Sequence, residues 1–332
     1  MFIIKKIWLI TCWAFVVAVF MPATVYANYA QRTDVKQFIN EMVDKHGFDR
    51  TYLEAQFATA KRLDNVLESI ARPAEKTLTW KQYRPIFVTS KRIKKGKKFI
   101  EEYRDILQRA EKEYGVPVEI IAAIIGVESY YGRHTGKYTV FDSLTTLGFD
   151  YPPRSKFFKS ELKQFLLLSK EEDISIEKMT GSYAGAMGLP QFISSSYRHY
   201  AVDFDGDGKR DLWNSIPDVI GSVANYFSEH DWQAGASVVH SVTVKDKSII
   251  REKNSRKPYV TLKQLESQGV TLKKSSKNTE IDKTEEVTLL ALKGKKGKEY
   301  WVGLKNFYVI TRYNHSVLYA MAVYQLSENL KT

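Results

Sequence analysis

Cysteine is nearly absent from this 332-residue chain, which carries Cys12 alone. One thiol excludes an intrachain disulfide framework and any zinc site built on cysteines. Proline is sparse at 9 and glycine stands at 18, which excludes collagen-like and low-complexity chains. Acidic residues are outnumbered, 38 against 50 basic ones, so the formal charge is +12 and an anionic partner is favoured. No internal repeat falls at a solenoid or propeller period. What is present, 44% hydrophobic, 27% charged and 13% aromatic residues, is the balance of a globular protein. The length suits one oversized domain or two to three ordinary ones.

Residues 1–27 read as an export signal. Lys5 and Lys6 form a basic start, Ile7 to Met21 is an apolar run short for a membrane span, and Val25-Tyr26-Ala27 offers small residues at cleavage-type positions. An uncleaved anchor is the alternative. Leu9-Ile10-Thr11-Cys12 is a weak match to a lipoprotein signal, because the apolar run continues past Cys12. Removing the signal leaves a basic chain without cysteine, which suits an oxidising compartment such as a bacterial periplasm.

The remaining sequence is mainly helical. Val35, Phe38, Ile39, Met42 and Val43 fall at helical spacing, and Gly47 closes that helix. Trp80 to Arg92 reads as a connecting stretch, followed by the basic run Lys91, Arg92, Lys94, Lys95, Lys97, Lys98. A helix is predicted from about Lys97 to Tyr114. Pro117 opens another, Val118 to Glu128, which is apolar nearly all round and therefore belongs inside a domain. Further helices are predicted over 156–170, 190–200, 217–229 and 316–326. Between them, 238–244, 259–262, 286–292 and 300–310 are β-prone runs separated by Lys/Ser/Gly-rich turns. The expected organisation is a signal (1–27), an N-terminal helical domain (28–98), a helical core (99–235), a small β module (236–306) and a segment returning to the helical body (307–332).

Three constellations carry candidate chemistry. Glu128 ends the wholly apolar helix, where desolvation favours a protonated carboxyl able to act as a general acid; a Glu simply leaving the core for solvent is the plain alternative. The second is Gly181-Ser182-Tyr183-Ala184-Gly185-Ala186-Met187-Gly188-Leu189-Pro190-Gln191-Phe192. Its small residues permit close backbone approach, to a ligand or to another helix, with Ser182 and Gln191 as hydrogen-bonding groups. It is neither a phosphate loop nor a dinucleotide fingerprint. In the third, Asp203, Asp205 and Asp207 with Gly206 match the start of an EF-hand calcium loop. Position twelve is Asn214, but Asp218 could close a loop longer than standard; a solvated acidic turn is the plain alternative. A structural calcium clamp fits better than a sensor, since no second hand follows.

These constellations, in this order, resemble the B-type lytic murein transglycosylases (the membrane-bound lytic transglycosylase B family, glycoside hydrolase family 103), which have a lysozyme-like core. Ala201-Val202-Asp203, Ile220 to Tyr226 and Ile310 to His315 also look like that family's motifs. The resemblance runs from about Trp80 to the C-terminus. It implies that Glu128 protonates the glycosidic oxygen between N-acetylmuramic acid and N-acetylglucosamine. The same carboxylate would then take the proton of the muramyl C6 hydroxyl, giving a 1,6-anhydro end. Ser182 would orient the 2-acetamido group. Tyr83, Gln191, Tyr226, Tyr313, Asn314 and Tyr319 match cleft residues that hold sugars or position Glu128. Arg154 matches one member of an arginine pair; Pro153 stands at the other position, a departure where the peptide stem or distal sugars are held. The implied calcium ligands are Asp203, Asp205, Asp207, the Lys209 carbonyl and Asp218, with one extra residue before the last.

The resemblance further implies a periplasmic enzyme acting on peptidoglycan glycan strands. Membrane association and membership of wall-synthesis or hydrolysis complexes are left open. The residues agree on one point: no motif ties a second acid to Glu128, whereas ordinary glycoside hydrolysis uses two carboxylates. The rival readings are a hydrolytic lysozyme-type muramidase, a non-catalytic peptidoglycan-binding protein and a nucleic-acid binder, the last suggested by lysine runs and opposed by the export signal.

Overall fold

The computed structural model describes residues 28–71, 77–273 and 281–331. The export segment, 1–27, lies outside them. Among the described residues the first helices are α1 (Thr33–His46), α2 (Arg50–Thr59) and α3 (Asp64–Ile70). Gly47 ends α1 with φ of 63°, the left-handed cap that glycine adopts without penalty. Next come α4 (Trp80–Phe87), α5 (Ser90–Glu102), α6 (Arg104–Tyr114) and α7 (Val118–Ser129).

Two of these differ from the sequence expectation. The stretch from Trp80 is a helix rather than a connector, although Pro85 sits inside it. Gln82 Oε1 accepts the Thr79 amide at 3.0 Å, and Trp80 and Tyr83 are buried, so capping and packing outweigh the proline. The helix predicted from Lys97 to Tyr114 is two, broken at Tyr103 (φ −113°, ψ 27°). No breaker residue marks that point; the Tyr103 ring packs on Phe99, 4.9 Å between centroids.

Helix α7 is the axle of the molecule. All of its residues except Val118, Glu119 and Glu128 are buried, and it packs against α5, α6, α11 (Ile216–Ser228) and α14 (Val317–Leu330). An apolar helix enclosed on every side fixes what stands at its end, and that is Glu128. Around it run α8 (Val140–Asp150), α9 (Ser155–Glu171) and α10 (Ser194–Tyr200). The two-residue strands β1 (Tyr138–Thr139) and β2 (Thr180–Gly181) pair antiparallel.

The β module is a five-stranded antiparallel sheet of order β4-β6-β7-β3-β5. Its strands are β3 (Val239–Val244), β4 (Val260–Thr261), β5 (Val270–Leu272), β6 (Glu286–Gly294) and β7 (Gly297–Gly303), with α12 (Leu262–Ser267) beside them. Val242, Leu262, Leu265, Val287, Leu289 and Val302 form a core separate from that of the helical body. The predicted β run over 300–310 ends at Gly303, and α13 (Lys305–Tyr313) follows. A side chain at Gly303 would come within 2.9 Å of Phe307, so the strand turns directly into a helix packed beneath it.

Candidate active site

A cleft of about 500 Å³ opens at the C-terminal end of α7. Glu128, Arg154, Ser182, Gln191, Tyr226, Tyr313 and Asn314 line it. Tyr319 and Tyr83, also expected at the site, are buried. The Tyr319 hydroxyl donates to Glu128 Oε1 at 2.5 Å. Burial, together with the Glu128 charge and the neighbouring Tyr313 and Tyr83, pushes the Tyr319 phenol well above its usual 10, so it remains a donor. Tyr83 is 1% exposed and does not line the cleft.

Tyr313 and Tyr226 build a wall. Their rings lie 4.8 Å apart, and Tyr313 stacks on Tyr319 at 6.5 Å with 11° between planes. Both hydroxyls are committed to backbone, Tyr313 to Pro190 O at 2.6 Å and Tyr226 to Arg312 O at 2.8 Å. What these residues present to the cleft is ring surface, which suits the apolar face of a sugar.

Ser182 is held as a donor. Its Oγ accepts the amides of Ala186 at 3.0 Å and Ala184 at 3.3 Å. With the oxygen occupied by two N–H groups, the hydroxyl proton is what remains to offer. Gln191 adopts φ of 53°, a left-handed conformation held by its side-chain nitrogen, which donates to Gly188 O at 2.7 Å and Thr135 O at 3.1 Å. The side-chain carbonyl is left for the cleft. The glycines of this loop serve its packing rather than a ligand: a Cβ at Gly188 would lie 2.3 Å from Leu212 O, and one at Gly181 2.3 Å from Ala186 O.

Among the described residues Glu128 is the one carboxylate lining the cleft. Asp150 is held by Arg32 and Tyr29, and Asp142 accepts the Lys61 amide, both away from it. The sequence assigned no individual role to nine further lining residues, of which five are aromatic or basic: Phe157, Tyr183, Phe192, Arg312 and His315. Four of them stand inside or beside quoted motifs, but nothing in their spacing marked them as facing inward. His315 is held below the usual imidazole range by burial and by the charges of Arg256, Arg312 and Arg154. Arg256, whose charge acts on His315, belongs to the β module.

The acidic loop folds between α10 and α11. Asp203 accepts the amides of Gly206 at 2.7 Å, Asp207 at 3.1 Å and Gly208 at 2.8 Å. Asp218, wholly buried on the first turn of α11, accepts Phe204 N at 2.7 Å and Asp211 N at 2.8 Å. Oxygens of Asp203, Asp205 and Asp218 lie within 4.8 Å of one another. Burial, and the Asp205 charge, hold the Asp218 carboxyl above its ordinary range. Asp207 stands outside this group and turns Oδ1 onto the Lys209 amide at 2.9 Å. Converging hard oxygens, one set buried, fit a divalent cation of the calcium type.

Residues 30–328 match the Transglycosylase SLT domain profile. The chain belongs to this family. It is 43% identical over 310 residues to membrane-bound lytic murein transglycosylase B of Escherichia coli strain K12, covering 91% of this chain and 83% of the relative. The crystal structure of soluble lytic transglycosylase SltB1 from Pseudomonas aeruginosa superposes with a TM-score of 0.84 at 48% identity, over 90% of this chain and 98% of that one. Escherichia coli lytic transglycosylase Slt35 in complex with calcium gives 0.81 at 42% identity, over 91% and 94%. The SLT transglycosylase described here thus has the family's lysozyme-like helical core with a small β module. No described helix is long and apolar enough to cross a membrane.

Proposed function

We propose that this SLT transglycosylase cleaves the β-1,4 bond between N-acetylmuramic acid and N-acetylglucosamine in peptidoglycan and leaves 1,6-anhydromuramyl ends. The observation that carries the reading is the cleft's lone carboxylate among the described residues. Hydrolysis in the ordinary manner needs a second carboxylate as nucleophile or base; here the substrate supplies the remaining groups. Glu128 gives its proton to the glycosidic oxygen as the C1–O bond breaks. Its carboxylate then accepts the C6 hydroxyl proton while O6 bonds to C1, so the acid is regenerated and no water is consumed. Ser182 donates to the acetamido group, whose carbonyl oxygen is thereby steered at C1. Tyr319 holds the carboxylate, and Tyr226, Tyr313, Asn314, Gln191 and Arg154 position the strand.

The same proposal includes one structural calcium ion held by Asp203, Asp205 and Asp218, with Asp207 and the Lys209 carbonyl completing the set after local adjustment. The ion would neutralise converging carboxylates and tie the loop to α11. Export to the periplasm through residues 1–27 belongs to it as well. So does the division into units 28–98, 99–235, 236–306 and 307–332, supported for the β module by its separate core.

The deciding experiment is mass spectrometry of soluble products from purified peptidoglycan, with wild type and Glu128→Gln side by side. Anhydromuramyl ends from wild type alone are expected. Reducing, hydrated ends would make the protein a lysozyme. Release of nothing by either protein would make it a binding module.

A further inference from the structure

The basic run on α5 has no part in the chemistry above, yet it adjoins the turn that follows the acid. The residues immediately after Glu128 turn sharply, Tyr130 and Tyr131 both adopting left-handed conformations at φ of 54° and 55°. Three cations gather on the Tyr130 ring: Arg92 at 4.9 Å, Lys95 at 5.1 Å and Arg133 at 6.0 Å from its centroid. Lys95 also donates to the carbonyls of Tyr130 at 3.0 Å and Tyr131 at 3.3 Å. Along the outer face of α5, Lys91, Lys94 and Lys98 are exposed, at spacings of three and four that align them on one side. Glu101 and Glu102 end the helix. No ion pair among the described residues involves Lys91, Arg92, Lys94, Lys95, Lys98 or Arg133. Like charges gathered without acidic partners repel, and an anion relieves them.

We propose that the lysine face of α5, continued by Arg92, Lys95 and Arg133 around Tyr130, is a docking surface for the carboxylates of peptidoglycan peptide stems. It would bring the insoluble polymer alongside the catalytic end of α7. The inference rests on peptidoglycan being the substrate. A lipid surface is the other polyanion an exported protein meets. A helix that settles into lipid buries its apolar face there. On α5 that face is already taken: Gly96 and Phe99 are buried, and Phe99 packs on Tyr131 at 5.4 Å. Ile86 alone stands out nearby, 47% exposed. Contact through charge, close to the reacting segment, favours the wall.

The test uses the full-length mature protein and a Lys91→Gln/Lys94→Gln/Lys98→Gln variant, with the three Lys→Arg changes as a charge-preserving control. Co-sedimentation with intact sacculi should weaken about tenfold in the Gln variant at low ionic strength, and the difference should vanish as salt is raised. The Arg variant should bind as wild type. Turnover of a short soluble glycan–peptide fragment should be equal in all three, and binding to glycan stripped of its stems should be equally weak. Equal binding of wild type and Gln variant to intact sacculi would overturn the proposal. So would a lysine-dependent loss on stripped glycan, or lysine-dependent binding to phosphatidylglycerol vesicles with none on sacculi. Failure of the soluble fragment to react with any variant would instead strike the proposed reaction, so the two ideas fail separately.

Discussion

Tyr319→Phe removes one oxygen and nothing else. The ring is 2% exposed and stacked on Tyr313, so its packing persists in the variant. What disappears is the O–H donor at 2.5 Å from Glu128 Oε1. In the proposed mechanism Glu128 releases its proton to the leaving oxygen, so negative charge grows on that carboxyl, and a fixed donor stabilises it most when the transfer is under way. Hydrogen bonds to charged groups contribute about 1.5–3 kcal/mol. If that energy is expressed in the transition state, kcat should fall about 10- to 150-fold. Tyr319 does not line the cleft, so KM should change little. Initial rates on a soluble glycan fragment across substrate concentration separate the two parameters, and a thermal melt checks the fold. A variant with wild-type kcat and an unchanged melt would refute the argument, leaving Tyr319 as packing behind the acid.

Ser182→Ala should lower kcat/KM by about fivefold or more, since a donor to the substrate is worth about 1–3 kcal/mol. Its melting temperature should also drop, because the Ala184 and Ala186 amides lose their acceptor; an unchanged rate would remove Ser182 from the mechanism. Chelation with EGTA should lower the melting temperature and added calcium should restore it, with Asp218→Asn losing most of that response. No shift in either direction would take the metal out of this account. His240 is held below 6.5 by burial. The folded state therefore resists a proton that the unfolded state accepts, and stability should be lost as pH falls below about 6.5 toward the folded value. In His240→Gln that fall should be shallower, as read by melts from pH 7 to pH 5; an identical pH profile would refute it.

Much of this architecture is legible in residue pattern because local and tertiary preferences agree. An apolar run with no polar face, opened by Pro117, can only be a buried helix, and α7 is one. Where tertiary packing overrides local signals, the pattern fails. Pro85 argues against a helix that Trp80 and Tyr83 nevertheless hold in place by burial. Nothing between Lys97 and Tyr114 announces the break that Tyr103 makes. Helix α8 carries two threonines and a glycine among its buried residues and has no polar face to set a period. At the site, side chains that face the cleft from within a motif are readable by position, as Ser182 and Gln191 are. The effect of the Arg256 charge on His315 is not readable, because it depends on how the β module folds against the helical body.

The backbone around the cleft shows why the acid needs so large a body. Three non-glycine residues with positive φ flank the site: Tyr130 and Tyr131 just beyond Glu128, and Gln191 in the serine loop. Such conformations cost about 1–3 kcal/mol each and persist only where surrounding structure fixes them. For Tyr131 the fixing is visible. Its ring lies over Gly96 of α5 and Gly126 of α7, where an added Cβ would come within 2.1 Å and 2.5 Å of the hydroxyl oxygen. Two helices have therefore given up side chains to seat one ring, and that ring locks the turn that ends α7. The carboxylate is thus constrained from two directions, by the locked turn through its own backbone and by the Tyr319 hydroxyl through its side chain. In the proposed mechanism a single acid gives and then retrieves a proton at two different oxygens, and it gains from such a hold, since among the described residues no second carboxylate lines the cleft to compensate for its misplacement.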